Sequence, residues 1–185
     1  MNFNDYIDLM NRVLTQPHDY PAYQEADYLT YTKLNVSRSA RWLKKFELSE
    51  SAKAALKAVS EAQTWLVITE PWCGDAAHSV PMLYLMSQVN PLITFEVELR
   101  DSKPFSIKHY LTNGAQAIPK LVIRNAQGED SAIWGPRPAA CQQLFEQLKA
   151  EGLSLDAIKT EVQNWYNADK GACIQQEIVA ILSSK

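Results

Sequence analysis

The first third of the chain has the apolar spacing of amphipathic helices. Apolar side chains recur three and four positions apart near the N-terminus, at Phe3, Tyr6, Ile7, Met10, Val13 and Leu14. This spacing predicts one helix that Pro17 ends. Similar spacing between Tyr28 and Phe46 loses its phase at residues 35–39, so it is compatible with one helix or with two. Ser49 is a candidate N-cap for a third helical segment over residues 50–60.

The central part of the chain has strand patterns separated by helical ones. Residues 64–69 form a continuous β-branched run, typical of a strand covered on both faces. Residues 92–99 alternate apolar and polar side chains, as an edge strand does. Residues 120–124 and 131–134 flank a polar connection and predict an antiparallel hairpin. With helices over residues 74–89, 105–111 and 141–148, the predicted order is β-α-β-α-β-β-α.

Two more amphipathic helices are predicted at the C-terminus. Ser154 can cap the first of them, and Asp169 can begin the second. No tract rich in Pro, Gly or Ser is long enough to separate domains. We therefore expect a helical extension over residues 1–62, a central domain over 63–150 and a second helical extension over 151–185, packed as one compact unit.

Composition excludes several classes of partner. The 185 residues are 46% hydrophobic, and their 18 basic and 21 acidic side chains are interspersed, giving a net charge of -3. No basic stripe predicts binding to nucleic acid or to an anionic membrane surface. No apolar run approaches the ~18 residues of a membrane span, and residues 1–14 lack the layout of a signal peptide. Three cysteines are too few for a disulfide framework, so we expect a reducing, cytoplasmic environment.

The chemistry-bearing segment follows the first predicted strand directly. Trp72-Cys73-Gly74 joins that strand to a helix, which places the Cys73 sulfur at a helix N-terminus. Unpaired backbone N–H groups at such a terminus favour a thiolate. This arrangement is typical of a redox site.

Residues 70–76, Glu-Pro-Trp-Cys-Gly-Asp-Ala, resemble the active-site segment of the thioredoxin family, which has Trp-Cys-Gly-Pro-Cys at this junction. Pro81 is similar to the proline that kinks the active-site helix of that family. Residues 117–119, Ala-Ile-Pro, resemble its cis-proline loop, which pairs with extended substrate backbone, and Gly135 resembles a glycine near that loop. The resemblance covers residues 64–150 and is strongest to a bacterial branch without a settled function. It implies a thioredoxin-like α/β fold, with a central mixed β-sheet flanked by helices and extra helices at both termini.

Departures from the family pattern limit what the resemblance implies. The resolving cysteine is replaced by Ala76, the intervening proline by Asp75, and the buried acid of catalytic thioredoxins by Val67. The dithiol cycle is therefore not available to this chain. The resemblance assigns Cys73 as the candidate nucleophile. The candidate binding residues are Trp72, Gly74, Asp75, Ile118 and Pro119. The resemblance to the thioredoxin family also predicts a cis peptide bond between Ile118 and Pro119.

Two functions remain open at this stage. The first is a monothiol thiol–disulfide protein that acts through Cys73 on a protein or small-molecule thiol or disulfide. It would need no bound cofactor, and a small thiol such as glutathione is the candidate co-substrate. The alternative is a non-catalytic binding module that uses the groove beside Trp72 and Pro119.

The acidity of Cys73 depends on two opposing effects. A carboxylate ~5 Å from the sulfur disfavours ionisation of the thiol by roughly 3 kcal/mol. A helix N-terminus favours ionisation by roughly 0.3–2 kcal/mol. We therefore expect that Asp75 keeps Cys73 from being strongly acidic.

The remaining cysteines and histidines are interpreted as structural residues. Cys141 is expected to be a buried, inert thiol, and Cys173 to lie partly buried in the first turn of the last helix. His78 is expected to hydrogen-bond Asp75. His109 is expected to be a surface residue, and His18 is expected to lie in a turn. Cys73, Asp75 and His78 would not converge well as ligands around a helix start, so no metal site is predicted. The aromatic residues near the N-terminus are interpreted as helix-packing residues rather than as a ligand pocket.

Overall fold

A mixed four-stranded sheet lies at the centre of the computed structural model, which describes residues 1–184. The strands are β1 (Gln63–Thr69), β2 (Ile93–Leu99), β3 (Lys120–Arg124) and β4 (Asp130–Trp134). Their order across the sheet is β2-β1-β3-β4. β1 is parallel to β2 and antiparallel to β3, and β3 and β4 form the expected antiparallel hairpin. The α/β fold predicted from the sequence is confirmed.

Seven α-helices surround this sheet in residues 1–184. They are α1 (Phe3–Thr15), α2 (Ala26–Lys45), α3 (Glu50–Lys57), α4 (Gly74–Ser87), α5 (Ala139–Ala150), α6 (Leu155–Asp169) and α7 (Ala172–Ser183). Ser49 and Ser154 cap α3 and α6 as predicted, because their hydroxyls accept from the amides of Ala52 and Ala157. None of these helices is long and apolar enough to cross a membrane.

Strand β2 shows why sequence alternation identifies an edge strand. Ile93, Phe95 and Val97 are buried, whereas Thr94 and Glu96 between them are exposed. Successive side chains on a strand point to opposite faces, so only one face of β2 meets the core. The neighbouring strand β1 is almost entirely buried, as its continuous apolar run indicates.

Helix α2 is one continuous helix of 20 residues, which decides between the one-helix and two-helix alternatives. The apolar phase is lost at residues 35–39 because two polar residues face inward there. Asn35 and Ser39 are both buried, and they donate to the backbone carbonyls of Pro71 at 2.9 Å and Ala77 at 3.5 Å. This polar contact fixes α2 against the segment that carries Cys73.

The helix predicted around residues 105–111 is wrong. Only a short 3₁₀ turn forms there, over Ser106–His109. Phe105 has φ 61°, a left-handed conformation, so it lies outside any right-handed helix and the turn begins only after it. The Glu98 carboxylate accepts from both the amide and the hydroxyl of Ser106, at 3.0 and 2.9 Å. With only Ile107 buried, the segment has a single anchor and no amphipathic face.

Helices α5 and α6 have a small apolar core of their own. Its buried members are Cys141, Leu148, Ile158, Val162 and Tyr166. The larger core contains the strands together with buried residues of α1, α4 and α7. Tyr166 links α6 to α4, because its hydroxyl donates to the Asp75 carboxylate at 3.0 Å. The C-terminal helices are thereby held beside the first turn of α4.

Candidate functional site

Cys73 is the N-cap residue of α4 and lies at the end of the turn that follows β1. Its amide donates to the Glu70 carbonyl at 3.0 Å, which closes this turn. The side chain is only 7% exposed, and its Sγ donates to the Ile118 carbonyl at 3.4 Å. The thiol therefore faces the loop that the sequence resemblance assigned to substrate binding, and it carries its proton in this contact.

The acidity of Cys73 is set mainly by burial. Burial, with a smaller contribution from the Asp75 carboxylate, raises the pKa of the Cys73 thiol to about 12. The backbone N–H groups of Ala76 and Asp75 and the Arg137 guanidinium act in the opposite direction on this pKa. This raised pKa agrees with the expectation that Cys73 is not strongly acidic. The larger cause of the rise is burial of the thiol, and the charge of Asp75 is the smaller one.

Asp75 is held away from solvent by an ion pair. Its carboxylate lies 2.8 Å from Arg137 Nη2, accepts from Arg137 Nε at 2.9 Å and from the Tyr166 hydroxyl at 3.0 Å. The two charged side chains are only 12% and 16% exposed. Burial raises the pKa of Asp75, and Arg137 opposes that rise. Asp75 thus joins the start of α4 to the segment after β4 and to α6.

The predicted hydrogen bond between His78 and Asp75 is wrong. Trp42 Nε1 donates to His78 Nδ1 at 2.8 Å, and His78 Nε2 lies 3.1 Å from Gln163 Oε1. The His78 ring also stacks on Tyr166, with ring centroids 4.3 Å apart. Burial, helped by the charge of Arg38, lowers the pKa of His78 to about 3. His78 is therefore a neutral side chain that joins α2, α4 and α6.

The Ile118–Pro119 peptide bond is cis, as the resemblance predicts. Ile118 and Pro119 are both buried, and of the two only Ile118 lines the cavity in front of Cys73. Gly135 lies against this loop with φ 109°, and a Cβ there would come within 2.4 Å of the Pro119 carbonyl oxygen. Only glycine fits this close approach.

Trp72 forms part of an aromatic and cationic cluster. Its ring stacks on Tyr28, with centroids 4.9 Å apart, and the Arg100 guanidinium lies 4.7 Å from its centroid. Tyr28 was expected only to pack between helices. Its stacking on Trp72 places it at the site instead.

A cavity of about 450 Å³, which we call the Cys73 chamber, opens in front of these residues. It is bounded by the start of α4, by residues 116–118, by Pro136 and Arg137, and by side chains of α2 and α6. The helical side chains that line it include Tyr28, Tyr31, Arg38, Leu155, Ile158, Lys159, Val162 and Gln163. Of the residues predicted for the site, Trp72, Cys73, Gly74, Asp75 and Ile118 line the chamber, and Pro119 does not.

Helices α2 and α6 meet beside the chamber through polar side chains. Lys159 Nζ donates to the Tyr31 hydroxyl at 2.5 Å, and Arg41 Nη2 donates to Asn167 Oδ1 at 2.6 Å. Arg38, Tyr31 and Lys159 line the chamber and were not predicted from the sequence. The loss of apolar phase at residues 35–39 was the available signal for Arg38, because it marks a polar stretch of α2 that faces the protein.

The other two cysteines lie outside the chamber. Cys141 is fully buried between α5 and α6, and burial raises its pKa to about 12. Cys173 is partly buried in the first turn of α7, where burial and the Asp169 carboxylate raise its pKa to about 11. The burial of Cys141 and the partly buried position of Cys173 in the first turn of α7 agree with the sequence expectation. All three cysteines of the chain are free thiols.

Val67 stands where the thioredoxin family has a buried acid, and it is fully buried and apolar. No charged group therefore occupies that position. A different carboxyl group, that of Glu70, is buried beside the turn. It accepts from the Asp101 amide at 2.9 Å and from the Tyr23 hydroxyl at 3.3 Å. Burial raises the pKa of Glu70 to about 7. Its hydrogen bonds tie the turn to the segments that contain Tyr23 and Asp101.

Comparison with known structures supports the fold. A protein of unknown function from Pseudomonas aeruginosa is 16% identical, with a TM-score of 0.61, and the match covers 85% of this chain and 91% of that one. A scaffold for an HIV epitope is 14% identical, with a TM-score of 0.60, over 100% of this chain and 99% of that one. At these identities the likeness concerns the fold alone. The search of curated proteins found no match.

A family model described as thioredoxin matches residues 22–149, which is more than half of the chain. The match includes α2 as well as the sheet, so it takes in one of the helices that line the chamber. The chain belongs to the thioredoxin family.

Proposed function

We propose that this protein binds a small organic molecule in the Cys73 chamber. The observation that carries the proposal is the chamber itself, about 450 Å³ in volume and bounded by α2 on one side and α6 on another. Binding sites for small molecules are clefts of roughly 300–1,000 Å³ with mostly apolar walls and a few polar groups. This develops the binding-module alternative from the sequence, which used the groove beside Trp72 and Pro119. Of its predicted binding residues, Pro119 is the one that does not line the chamber.

The resting state of Cys73 supports binding over catalysis. A thiol with a pKa of about 12 is ionised at pH 7 to the extent of only ~10⁻⁵, and the thiolate is the nucleophile in disulfide exchange. The Cys73 S–H also donates a hydrogen bond to the Ile118 carbonyl oxygen. In the absence of a second cysteine at position 76, a mixed disulfide would have no neighbour to resolve it.

The position of α6 supports a small ligand over an extended protein segment. Leu155, Ile158 and Val162 of α6 line the space in front of Ile118. The hydrogen bonds from Lys159 to Tyr31 and from Arg41 to Asn167 hold α6 to α2 beside that space. A peptide that lay along the Ile118–Pro119 loop would have to displace these side chains.

A fluorescence titration tests the binding proposal. The neutral dye N-phenyl-1-naphthylamine should bind the wild type at one saturable site. Gly74→Leu should weaken that binding at least tenfold, because a Cβ at Gly74 meets only Arg38 Nη1, at 3.9 Å, and a longer side chain enters the chamber. Ala54→Leu adds the same side chain to the exposed face of α3 and is the matched control. Equal dye binding by the wild type and Gly74→Leu would contradict the proposal.

Monothiol exchange at Cys73 is the second candidate function. It is favoured by the position of Cys73 on the chamber surface and by the α4 amides that lower its pKa. In this reaction the Cys73 thiolate attacks a small disulfide, forms a mixed disulfide with one half and releases the other half as a thiolate. A reducing compartment such as the cytoplasm would suit it, since all three cysteines are free.

Mass spectrometry after brief exposure to glutathione disulfide distinguishes the two candidates. Modification of Cys73 within minutes, lost in Cys73→Ser, would favour exchange. Modification confined to the more exposed Cys173 would favour binding alone. A wild type that also reduced insulin repeatedly with thioredoxin reductase would contradict the absence of a resolving thiol.

A further inference from the structure

The Cys73 chamber is lined by more positive than negative side chains. Four basic residues, Arg38, Arg100, Arg137 and Lys159, and one acidic residue, Asp75, contribute to its surface. Three of the basic side chains have a carboxylate partner. Arg137 pairs with Asp75 at 2.8 Å, Arg100 with Asp101 at 2.7 Å and Lys159 with Asp156 at 3.3 Å.

Arg38 differs from these three because no carboxylate of residues 1–184 forms an ion pair with it. Its Nη1 donates to the neutral amide oxygen of Asn35 at 3.0 Å. Asn35 is fixed in turn by its bond to the Pro71 carbonyl. The guanidinium is partly buried, so its charge is only partly solvated.

The charge of Arg38 acts on the groups around the chamber. Burial and the neighbouring Arg41 lower the pKa of Arg38, and Tyr31 acts in the opposite direction. The same two arginines help burial to lower the pKa of His78. Arg41 likewise lacks a carboxylate partner in the described part of the chain, and it donates to the Asn167 amide oxygen.

The Arg38 guanidinium also lies at the start of α4. A Cβ built on Gly74 would be 3.9 Å from Arg38 Nη1, with no other heavy atom within 4 Å. Space therefore remains beside the first turn of α4, where backbone amides and the helix dipole favour negative charge. The arginine and the helix start contribute positive potential to the same part of the chamber.

From this charge imbalance we infer that the ligand of the Cys73 chamber is an organic carboxylate, held at its carboxylate by Arg38. The inference rests on the proposed binding function and names its ligand class. A guanidinium can bind a carboxylate through two parallel hydrogen bonds. The apolar or aromatic body of the ligand lies along Trp72, Ile118, Phe145 and Val162. A single negative charge on the ligand would pair with Arg38, the one basic residue of the chamber that has no carboxylate partner in residues 1–184.

Displacement of the neutral dye by two matched competitors tests this inference. The competitors are 2-naphthoate and 2-naphthylmethanol, which share the ring system and differ in the carboxylate. In the wild type, 2-naphthoate should displace the dye at about one tenth of the concentration that the alcohol needs. In Arg38→Gln this advantage, taken as the ratio of the two displacing concentrations measured in the same variant, should fall below twofold. Arg38→Lys should retain part of the advantage.

Lys33→Gln is the matched control, because Lys33 is an exposed cation on α2 that does not line the chamber. It should keep the full advantage of 2-naphthoate. Absence of saturable dye binding in the wild type would overturn the binding function and this inference together. Dye binding without preference for 2-naphthoate, or a preference that survives in Arg38→Gln, would overturn this inference alone.

Discussion

The floor of the chamber and its helical wall are held in different ways. The floor consists of Cys73 and the loop of Ile118 and Pro119, with Gly135 behind it, and its contacts involve the backbone. Cys73 N donates to a carbonyl, Cys73 Sγ donates to the Ile118 carbonyl, and Gly135 approaches the Pro119 carbonyl too closely for any Cβ. The wall consists of α2 and α6, which contact each other through exposed side-chain hydrogen bonds at Lys159 and Arg41. Buried side chains hold each of these helices to α4, through Trp42 and His78 for α2 and through Tyr166 and Asp75 for α6.

This difference indicates which part of the site is tolerant of change. Buried contacts of the backbone cannot be replaced by another side chain, so changes in the floor should be costly. Exposed polar pairs contribute only ~0–1 kcal/mol to stability, because water competes for both partners. The exposed contacts between α2 and α6 can therefore vary, and with them the ligand that the wall selects, while the floor and the buried contacts of the wall with α4 keep their structure.

The largest expected effect is a change in the floor at Gly135. Gly135→Ala should lower the free energy of unfolding by about 3 kcal/mol or more, because its Cβ would lie 2.4 Å from the Pro119 carbonyl oxygen at a φ of 109°. Gly128→Ala is the control, since Gly128 has φ 81° but no heavy atom within 4 Å of an added Cβ. Urea unfolding should show a loss of only ~1 kcal/mol for the control. Similar losses for both variants would contradict the role of the close approach.

The floor was largely predictable from the sequence because local pattern determines it. The β-branched run of β1, the Trp-Cys-Gly junction and the proline before β3 are each visible within a few residues. The wall was not predictable, because it depends on which surfaces of α2 and α6 meet. Tyr31 and Lys159 are separated by 128 residues, and no short-range pattern reports such a contact.

Two wrong predictions have the same physical origin. His78 was assigned a partner three residues away, whereas its partners Trp42 and Gln163 come from α2 and α6. Residues 105–111 were assigned a helix from local spacing, whereas Glu98 of β2 binds the amide and hydroxyl of Ser106. In each case a polar partner from another element of the fold overrides the local preference. The loss of phase in α2 was the one sequence feature that indicated such a contact, at Asn35 and Ser39.

The next largest effect concerns Glu70, which ties the floor to the segment of Tyr23. Burial raises the pKa of Glu70 to about 7 from 4.5. The folded state therefore binds this proton more tightly than the unfolded state does. The contribution of Glu70 to stability is fully present below pH 4.5 and is lost as the pH rises to about 7. The difference amounts to ~3 kcal/mol.

Glu70→Gln should remove this pH dependence. The amide keeps the acceptor for the Asp101 amide and never ionises, so the variant should be more stable than the wild type at pH 8. Urea unfolding between pH 4 and 8 measures the effect. Glu61→Gln, at an exposed position, controls for the loss of one carboxyl group. A wild type whose stability did not decline over this range, relative to Glu70→Gln, would contradict the buried position of the carboxyl.

A smaller effect is expected where the floor and the wall meet, at Asp75. Asp75→Asn removes a negative charge that raises the pKa of Cys73 and leaves Arg137, which lowers it. The variant should be alkylated at Cys73 about three- to tenfold faster at pH 8. Iodoacetamide rates followed by mass spectrometry measure this, with Asp8→Asn on the exposed face of α1 as the control. An unchanged or slower rate would mean that direct charge repulsion does not control this thiol.

The smallest effect is expected in the wall. Tyr31→Phe removes the hydroxyl that accepts from Lys159 at 2.5 Å but keeps the ring, whose centroid lies 4.5 Å from Lys159 Nζ. The variant should lose less than ~1 kcal/mol of stability, and its affinity for N-phenyl-1-naphthylamine should change less than threefold. Tyr20→Phe, outside the chamber, controls for loss of a tyrosine hydroxyl. A loss above ~2 kcal/mol in urea unfolding would show that the wall, like the floor, is a structural element, and that α2 and α6 are not free to vary.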